Sequence, residues 1–86
     1  MSLTYRLTLN RDAVKFIAKQ EKAVQERIRK SLLGLTVRPP MGDIKPLKGF
    51  DQRFRLRVGN FRVLFEVDHL KQFIYILAID NRGDIY

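Results

Sequence analysis

The sequence predicts an α+β fold in which two helices lie on one face of a small, mostly antiparallel, four-stranded sheet. Apolar residues recur every three or four positions in two segments between residues 10 and 35, as they do in amphipathic helices. Four other segments show either strict alternation or a continuous apolar run, both typical of strands. The predicted element order is βααβββ, within a single domain of residues 1–86.

The N-terminal part of the chain supplies the first strand and both helices. Leu3–Leu9 alternates and is rich in strand-forming residues. Asn10 is a suitable N-cap for the first helix, which we expect to end near Gln20. The second helix is predicted over Lys22–Leu35, with an apolar stripe formed by Val24, Ile28, Leu32 and Leu35. The two helices therefore form an αα-hairpin that covers one face of the sheet.

The rest of the chain is predicted to contain a long loop and three strands. Residues 37–52 show no clear periodicity, and Pro39-Pro40 disfavours helix there, so we expect a loop of a length that is often functional. Strands follow at about residues 53–58 and 61–68. The nearly continuous apolar run Phe73–Ile79 is suited to a buried central strand.

The stretch Phe54–Arg62 predicts a tight β-hairpin with an unusual charge arrangement. With Gly59-Asn60 as the turn, the predicted cross-strand pairs are Val58 with Phe61, Arg57 with Arg62, Leu56 with Val63 and Phe54 with Phe65. The apolar members then share one face, and Arg55, Arg57 and Arg62 share the other. Like charges directly opposite one another are unfavourable, and the guanidinium fork suits phosphate, so we predict an anion site. The alternative is an ordinary solvated strand face.

Composition limits the classes of function. The formal net charge is +8, which favours a polyanionic partner such as nucleic acid or the ribosome. The chain has no cysteine, which excludes disulfides and thiolate catalysis and fits a cytoplasmic location. His69 is the only histidine, and we expect it to be an exposed turn residue without a role in metal binding. No apolar run is long enough to span a membrane, and neither a cofactor nor a metal is predicted.

Four segments in this order resemble the RelE/ParE superfamily of toxin–antitoxin toxins over essentially the whole chain. They are Ala13–Phe16, Lys45-Pro-Leu-Lys-Gly49, Phe54–Arg62 and the ending Asn81–Tyr86. The arginine and terminal tyrosine of the last segment look more like the RelE branch than the ParE branch. The resemblance implies the microbial-RNase-like RelE fold. It also implies a ribosome-dependent endoribonuclease that cuts mRNA in the A site through attack of the 2′-hydroxyl, without a metal.

The resemblance also implies roles for individual residues. The implied catalytic residues are Arg57, Arg62, Arg82 and Tyr86, and the implied RNA-binding residues are Arg55, Lys45, Lys48 and Arg53. Arg57 and Arg62 would hold the scissile phosphate, Arg82 would neutralise or protonate the departing 5′-oxygen, and Tyr86 would stack on a base or orient the 2′-hydroxyl. Several members carry histidine where this chain has Asn81, so no residue with a pKa near 7 falls in the implied site.

The implied partners are a RelB-like antitoxin, the ribosome with its mRNA, and operator DNA only through the antitoxin complex. Two other functions remain open at this point. The chain could be a ParE-like inhibitor of DNA gyrase, in which the basic face makes contacts without chemistry. It could also be a non-catalytic member that acts only within a DNA-binding repressor complex.

Overall fold

A computed structural model of the chain describes residues 4–81, in which two helices and five strands form an α+β fold. The helices are α1 (Arg11–Ala18) and α2 (Lys22–Leu33), and the strands are β1 (Arg6–Leu9), β2 (Asp43–Pro46), β3 (Arg53–Val58), β4 (Phe61–Asp68) and β5 (Phe73–Asn81). The strands form one sheet in the order β1-β5-β4-β3-β2. Strand β1 is parallel to β5, and the other pairs are antiparallel. The predicted fold class is confirmed.

The prediction of four strands was wrong by one. The additional strand, β2, lies inside the segment that was predicted to be a loop, and it pairs with β3 at the edge of the sheet. It has only four residues, and Ile44 is the only one of them that is even half-buried. An exposed strand that is this short and ends in proline carries no alternation that a sequence could reveal.

The helices begin and end close to the predicted positions for identifiable reasons. The Asn10 side chain caps α1 by accepting a hydrogen bond of 2.9 Å from the backbone N–H of Ala13. At the other end of α1, the Ile17 carbonyl accepts from the backbone N–H of Gln20 and from the Gln25 side chain, each at 3.0 Å. Neither helix is long and apolar enough to cross a membrane.

The core lies between the helices and one face of the sheet. Its buried residues include Ala13 from α1, Ile28 and Leu32 from α2, and Leu56, Val63, Phe65, Ile74 and Ile76 from the strands. Phe16 of α1 also packs edge-to-face on Phe61, with ring centroids 5.7 Å apart. Leu35 is fully buried although it follows the end of α2. Its apolar role was predicted correctly, while the helix itself ends two residues earlier.

The predicted hairpin and its register are confirmed at every pair. Val58 lies opposite Phe61, Arg57 opposite Arg62, and Leu56 opposite Val63, while Phe54 pairs with Phe65. Gly59 has φ +58°, the left-handed conformation that a tight hairpin turn requires. We call the side of the sheet opposite to the helices the arginine face; it carries Arg53, Arg55 and Arg57 of β3 and Arg62 of β4.

Candidate phosphate-binding site

Four charged residues form a row across the arginine face beside the hairpin turn. Strand pairing places Asp43 opposite Arg57, Arg57 opposite Arg62, and Arg62 opposite Asp80. Arg62 Nη2 donates to Asp80 Oδ2 at 3.1 Å. The like-charge pair predicted from the sequence is therefore present, and an acidic residue flanks it on each side. The two carboxylates offset part of the repulsion between the arginines.

Arg57 is the exposed arginine of this row. Its side chain has neither an ion pair nor a hydrogen bond with any residue between 4 and 81, whereas Arg62 is held by Asp80. A guanidinium that is exposed and unpaired can reach a ligand without first giving up a contact. Arg57 and Arg62 are thus brought together as predicted, one of them free and the other held in place.

The next row of side chains on this face, two residues farther along the strands from the hairpin turn, adds two further cations. Lys45 of β2 lies opposite Arg55 of β3. The Arg55 side chain is largely buried, at 11% exposure, and its Nη2 lies 3.8 Å from Asp43 Oδ1. This separation is too long for a hydrogen bond, so the charge of Arg55 is only loosely compensated. The predicted RNA-binding residues Lys45 and Arg55 therefore adjoin the pair formed by Arg57 and Arg62.

Two N–H donors on the arginine face are buried without a partner among the described residues. They are Nη1 of Arg55 and Nε of Arg62. A buried donor that lacks an acceptor costs about 1–3 kcal/mol, because it has lost its water and gained nothing in return. Asp80 Oδ1 is likewise buried and unpaired. The site thus contains unmet hydrogen-bonding capacity of the kind that an oxyanion could satisfy, in competition with Asp80 for Arg62.

The remaining predicted binding residues of β3 and its preceding turn lie elsewhere. Arg53 begins β3, four residues and therefore about 13 Å from Arg57. Its Nε donates to Glu66 Oε1 at 2.8 Å, and its guanidinium lies 4.7 Å from the centre of the Phe50 ring. Lys48 is exposed in the turn between β2 and β3, at this same end. The structure does not bring Lys48 and Arg53 together with Arg57 and Arg62.

The two predicted catalytic residues of the C-terminal segment, Arg82 and Tyr86, lie outside the described residues. The last described residue is Asn81, which pairs with Phe61 beside the hairpin turn. His69 follows β4 at the end of the strand remote from Arg62, where its Nδ1 is 2.8 Å from the Tyr5 hydroxyl oxygen. It is exposed, as predicted, and does not belong to the site.

The structure adds three residues that the prediction of the site did not include. Two of them are counter-ions: Asp43 lies 3.8 Å from Arg55, and Asp80 pairs with Arg62. The third is Arg27 of α2, whose guanidinium lies against the hairpin turn: a Cβ on Gly59 would be 2.6 Å from Arg27 Nη2. Nothing in the sequence signals this contact, because it joins a helix to a turn about thirty residues later.

Comparison with known proteins identifies the family. The family model described as the ParE toxin of the type II toxin–antitoxin system, parDE, matches residues 8–86. No protein of curated function matches the chain.

Solved structures with the same fold include RelE toxins and RelE–RelB complexes. A chain of the archaeal RelE–RelB complex from Pyrococcus horikoshii shares 28% identity, covers 94% of this chain and 98% of its own length, and superposes with a TM-score of 0.82. The RelBE2 complex of Mycobacterium tuberculosis gives 24% identity, coverage of 95% of each chain and a TM-score of 0.78. The isolated RelE toxin of E. coli gives 19% identity, coverage of 90% and 83%, and a TM-score of 0.75.

The family model spans nearly the whole chain and includes the hairpin that carries the arginine pair. The superfamily suggested by the sequence motifs is confirmed. The chain therefore belongs to the ParE toxin family within the RelE/ParE superfamily, and it is a toxin of a type II toxin–antitoxin system with a RelE-like structure.

Proposed function

We propose that this toxin is a ribosome-dependent endoribonuclease that cuts mRNA in the A site, as RelE-like toxins do. The observation that carries the proposal is the unmet hydrogen-bonding capacity of the arginine face. Arg55 Nη1 and Arg62 Nε are buried donors without acceptors among residues 4–81, and Arg57 beside them is exposed and unpaired. A phosphodiester supplies the oxygens that these donors lack, and planar guanidinium groups bind such oxygens in pairs.

The arginine pair would act on the charge that develops during cleavage. As the 2′-oxygen attacks phosphorus, negative charge accumulates on the non-bridging oxygens. Arg57 and Arg62 lie directly opposite each other and can hold these oxygens from two strands. Donors that are already in position before the reaction stabilise such charge without reorganising. The Arg62–Asp80 contact keeps one guanidinium oriented until the phosphate competes for it.

The proton transfers need groups outside this pair. The 2′-hydroxyl must lose its proton, and the departing 5′-oxygen must gain one, to leave a 2′,3′-cyclic phosphate and a 5′-hydroxyl. Arginine is a poor proton shuttle, because its pKa lies far above neutral pH and the guanidinium stays protonated. In this proposal Arg82 neutralises the negative charge that develops on the 5′-oxygen, and that oxygen takes its proton from water. Tyr86 orients or deprotonates the 2′-hydroxyl, or stacks on a base. No metal takes part in these steps.

We also propose that a RelB-like antitoxin neutralises the toxin by covering the arginine face. Four of the similar solved structures are RelE–RelB or RelBE complexes, which supports an antitoxin partner. An acidic antitoxin segment would offer carboxylates to which the unpaired N–H groups of this face can donate. Contact with operator DNA would then be made through the antitoxin. Binding that depends on the arginine face weakens as salt is raised.

The test is cleavage of a defined mRNA on translating ribosomes, with 5′ ends mapped to the nucleotide. We expect cleavage in the A-site codon, reduced about 100- to 1,000-fold by Arg62→Ala, since this is the usual effect of removing one preorganised donor. Arg29→Ala is the matched control: it removes the same charge from an exposed arginine of α2 and should leave cleavage unchanged. Intact mRNA with the wild-type toxin, or equal cleavage by both variants, would contradict the proposal.

A second candidate is inhibition of DNA gyrase, which the ParE-toxin family match favours. In this case the arginine face makes contacts without chemistry. A supercoiling assay separates the two functions. Loss of supercoiling that persists in Tyr86→Ala, with intact mRNA in the ribosome assay, would select the gyrase inhibitor. If neither activity is found and only the antitoxin complex binds operator DNA, the chain is a non-catalytic member of a repressor complex.

A further inference from the structure

The arginine face continues, at the end remote from the hairpin turn, into a groove of different chemistry. The groove has a volume of about 430 Å³, within the range of small-molecule sites. Its polar and aromatic lining consists of Thr8, Asn10, Arg53, Glu66, Asp68 and Tyr75. Strand pairing places Thr8, Tyr75 and Glu66 side by side across β1, β5 and β4, on the same face as the arginines. We call this feature the aromatic groove.

Tyr75 gives the groove a flat, stiff wall. Its ring stacks on that of Phe73, with centroids 5.6 Å apart and planes inclined by 27°. The Arg6 guanidinium lies 5.8 Å from the centre of the Phe73 ring on the same face. Both rings are half-buried, so each still presents surface. A supported aromatic ring of this kind is the usual platform on which proteins stack single-stranded bases.

The groove contains two carboxylates, Glu66 and Asp68, whose oxygens are acceptors, beside the Arg53 guanidinium and the hydroxyls of Thr8 and Tyr75. Glu66 Oε1 accepts from Arg53, and Oε2 has no partner among residues 4–81. Asp68 supplies the second carboxylate, whose Oδ1 accepts from the backbone N–H of Lys71 at 3.0 Å. The Asn10 amide is already used: its oxygen accepts from Ala13, and its nitrogen donates to the Leu77 carbonyl. An ionised carboxylate only accepts, so Glu66 and Asp68 favour a ligand that presents N–H donors to them.

A local irregularity shapes the groove beside Tyr75. Between the pairs Phe65–Ile76 and Leu64–Ala78 the register shifts, so Leu77 has no partner on β4. Such a bulge bends its strand and redirects the adjacent groups. Here the carbonyl of Leu77 is turned toward Asn10, and Leu77 joins the lining of the groove.

The two ends of the face therefore suit different parts of a nucleic acid. The cations Arg55, Arg57 and Arg62 beside the hairpin turn suit phosphate, while the carboxylates Glu66 and Asp68 repel it. Along β4, Arg62 and Glu66 are four residues and hence about 13 Å apart. This is farther than a phosphate lies from its own base, so the aromatic groove would hold the base of a neighbouring nucleotide.

We propose that the aromatic groove is a nucleobase subsite for an amino-bearing purine of the RNA strand whose phosphate Arg57 and Arg62 hold. Tyr75 stacks on the purine, whose large ring system overlaps it best. The free oxygens of Glu66 and Asp68 accept its N–H groups and disfavour uracil, which has no amino group. This inference rests on the proposed phosphate clamp and adds a preference that the clamp alone cannot have, because phosphates are identical in every sequence.

The test measures the Kd of the purified toxin for short single-stranded RNAs by fluorescence polarisation. The oligonucleotides carry 2′-O-methyl groups so that they cannot be cut, and they differ at one position, which is adenine, guanine, inosine or uracil. We expect the wild type to bind the adenine or guanine oligonucleotide about 10-fold more tightly than the uracil one, a size typical of the loss of one stacked base. The inosine oligonucleotide, which lacks the 2-amino group of guanine, should bind more weakly than the guanine one and more tightly than the uracil one.

Variants separate the subsite from the clamp. Tyr75→Ala should abolish the purine preference while leaving the Kd for the uracil oligonucleotide nearly unchanged, and Tyr75→Phe, which keeps the stack, should retain the preference. Glu66→Gln keeps the aromatic stack and should shrink the preference for amino-bearing bases. Arg62→Ala should weaken all four oligonucleotides alike, and Arg29→Ala should weaken none.

Two outcomes would overturn the subsite, and they are distinguishable. If Arg62→Ala weakens binding but the wild type shows no purine preference, or Tyr75→Ala keeps it, the clamp stands and the aromatic groove is not a subsite. If the wild type binds none of the oligonucleotides, or Arg62→Ala binds them as the wild type does, the clamp fails and the subsite fails with it. Thermal unfolding of Tyr75→Ala and Tyr75→Phe shows whether each variant is folded when it is tested.

Discussion

The two faces of β3 differ in how far their side chains are satisfied by other residues, although these side chains alternate along one short strand. Phe54, Leu56 and Val58 point toward the helices and pack into the core. Their neighbours Arg55 and Arg57 point the other way, one buried with an unpaired N–H and the other exposed and unpaired among residues 4–81. The apolar side chains of the first face find their packing partners within the chain. The unpaired N–H groups of the second face need a ligand to supply their acceptors. Stability should therefore depend on one face and function on the other.

The largest expected effect is on the packed face. Leu56 is 1% exposed, and truncation to alanine leaves a cavity beside Val63 and the helices. We expect Leu56→Ala to lower the free energy of unfolding by about 2–5 kcal/mol, measured by urea denaturation. Leu70→Ala is the control, because Leu70 is 99% exposed and its loss should change stability by less than about 0.5 kcal/mol. Equal effects of the two substitutions would show that β3 is not packed as described.

The next effect is expected at the hairpin turn, where the two faces meet. Gly59→Ala places a Cβ at φ +58° and 2.6 Å from Arg27 Nη2, at the end of a flexible side chain that can move away. Backbone strain then dominates, and we expect a loss of about 1–2 kcal/mol in unfolding free energy. The double variant Gly59→Ala with Arg27→Ala should recover little of it. Full recovery would mean that the clash, and not the backbone conformation, determines the need for glycine.

A smaller effect of opposite sign is expected on the arginine face. Arg55→Met removes a largely buried charge whose Nη1 is unpaired and keeps most of the side-chain volume. Replacing such a charge with an apolar side chain is often neutral or stabilising, so we expect a gain of up to about 1 kcal/mol in unfolding free energy. The same variant should bind RNA more weakly. A variant that is both less stable and unchanged in RNA binding would show that Arg55 serves the fold.

The smallest effect on stability is expected on the exposed side of α2, away from both faces of β3. The hydrogen bond from Arg29 lowers the pKa of Glu26 below its ordinary value. Because the pKa is lower in the folded state, the contribution to stability is present above the pKa of the unfolded chain and is lost as pH falls through the folded value. In Arg29→Ala the pKa of Glu26, followed by NMR, should rise. The stability difference between variant and wild type should vanish in acid.

The sequence predicted best those features that local pattern determines. Alternation around Gly59-Asn60 was enough to give the register of the hairpin, and hence the opposition of Arg57 and Arg62. Pairings between distant residues left no local signal. The parallel pairing of β1 with β5 and the short edge strand β2 belong to this class. The counter-ion Asp43 was missed because it lies on that unpredicted strand.

The position of β5 inside the sheet has a consequence for the order in which the chain can fold. Strand β5 lies between β1 and β4, so residues 73–81 join the N-terminal strand to the hairpin. Before β5 is made, β1 has no partner in the sheet, and much of the apolar surface of α1 and α2 lacks the strand residues that cover it. Contacts so distant in sequence form slowly, because a long loop must close first. During synthesis, the toxin therefore gains the fold described for residues 4–81 only when β5 has emerged.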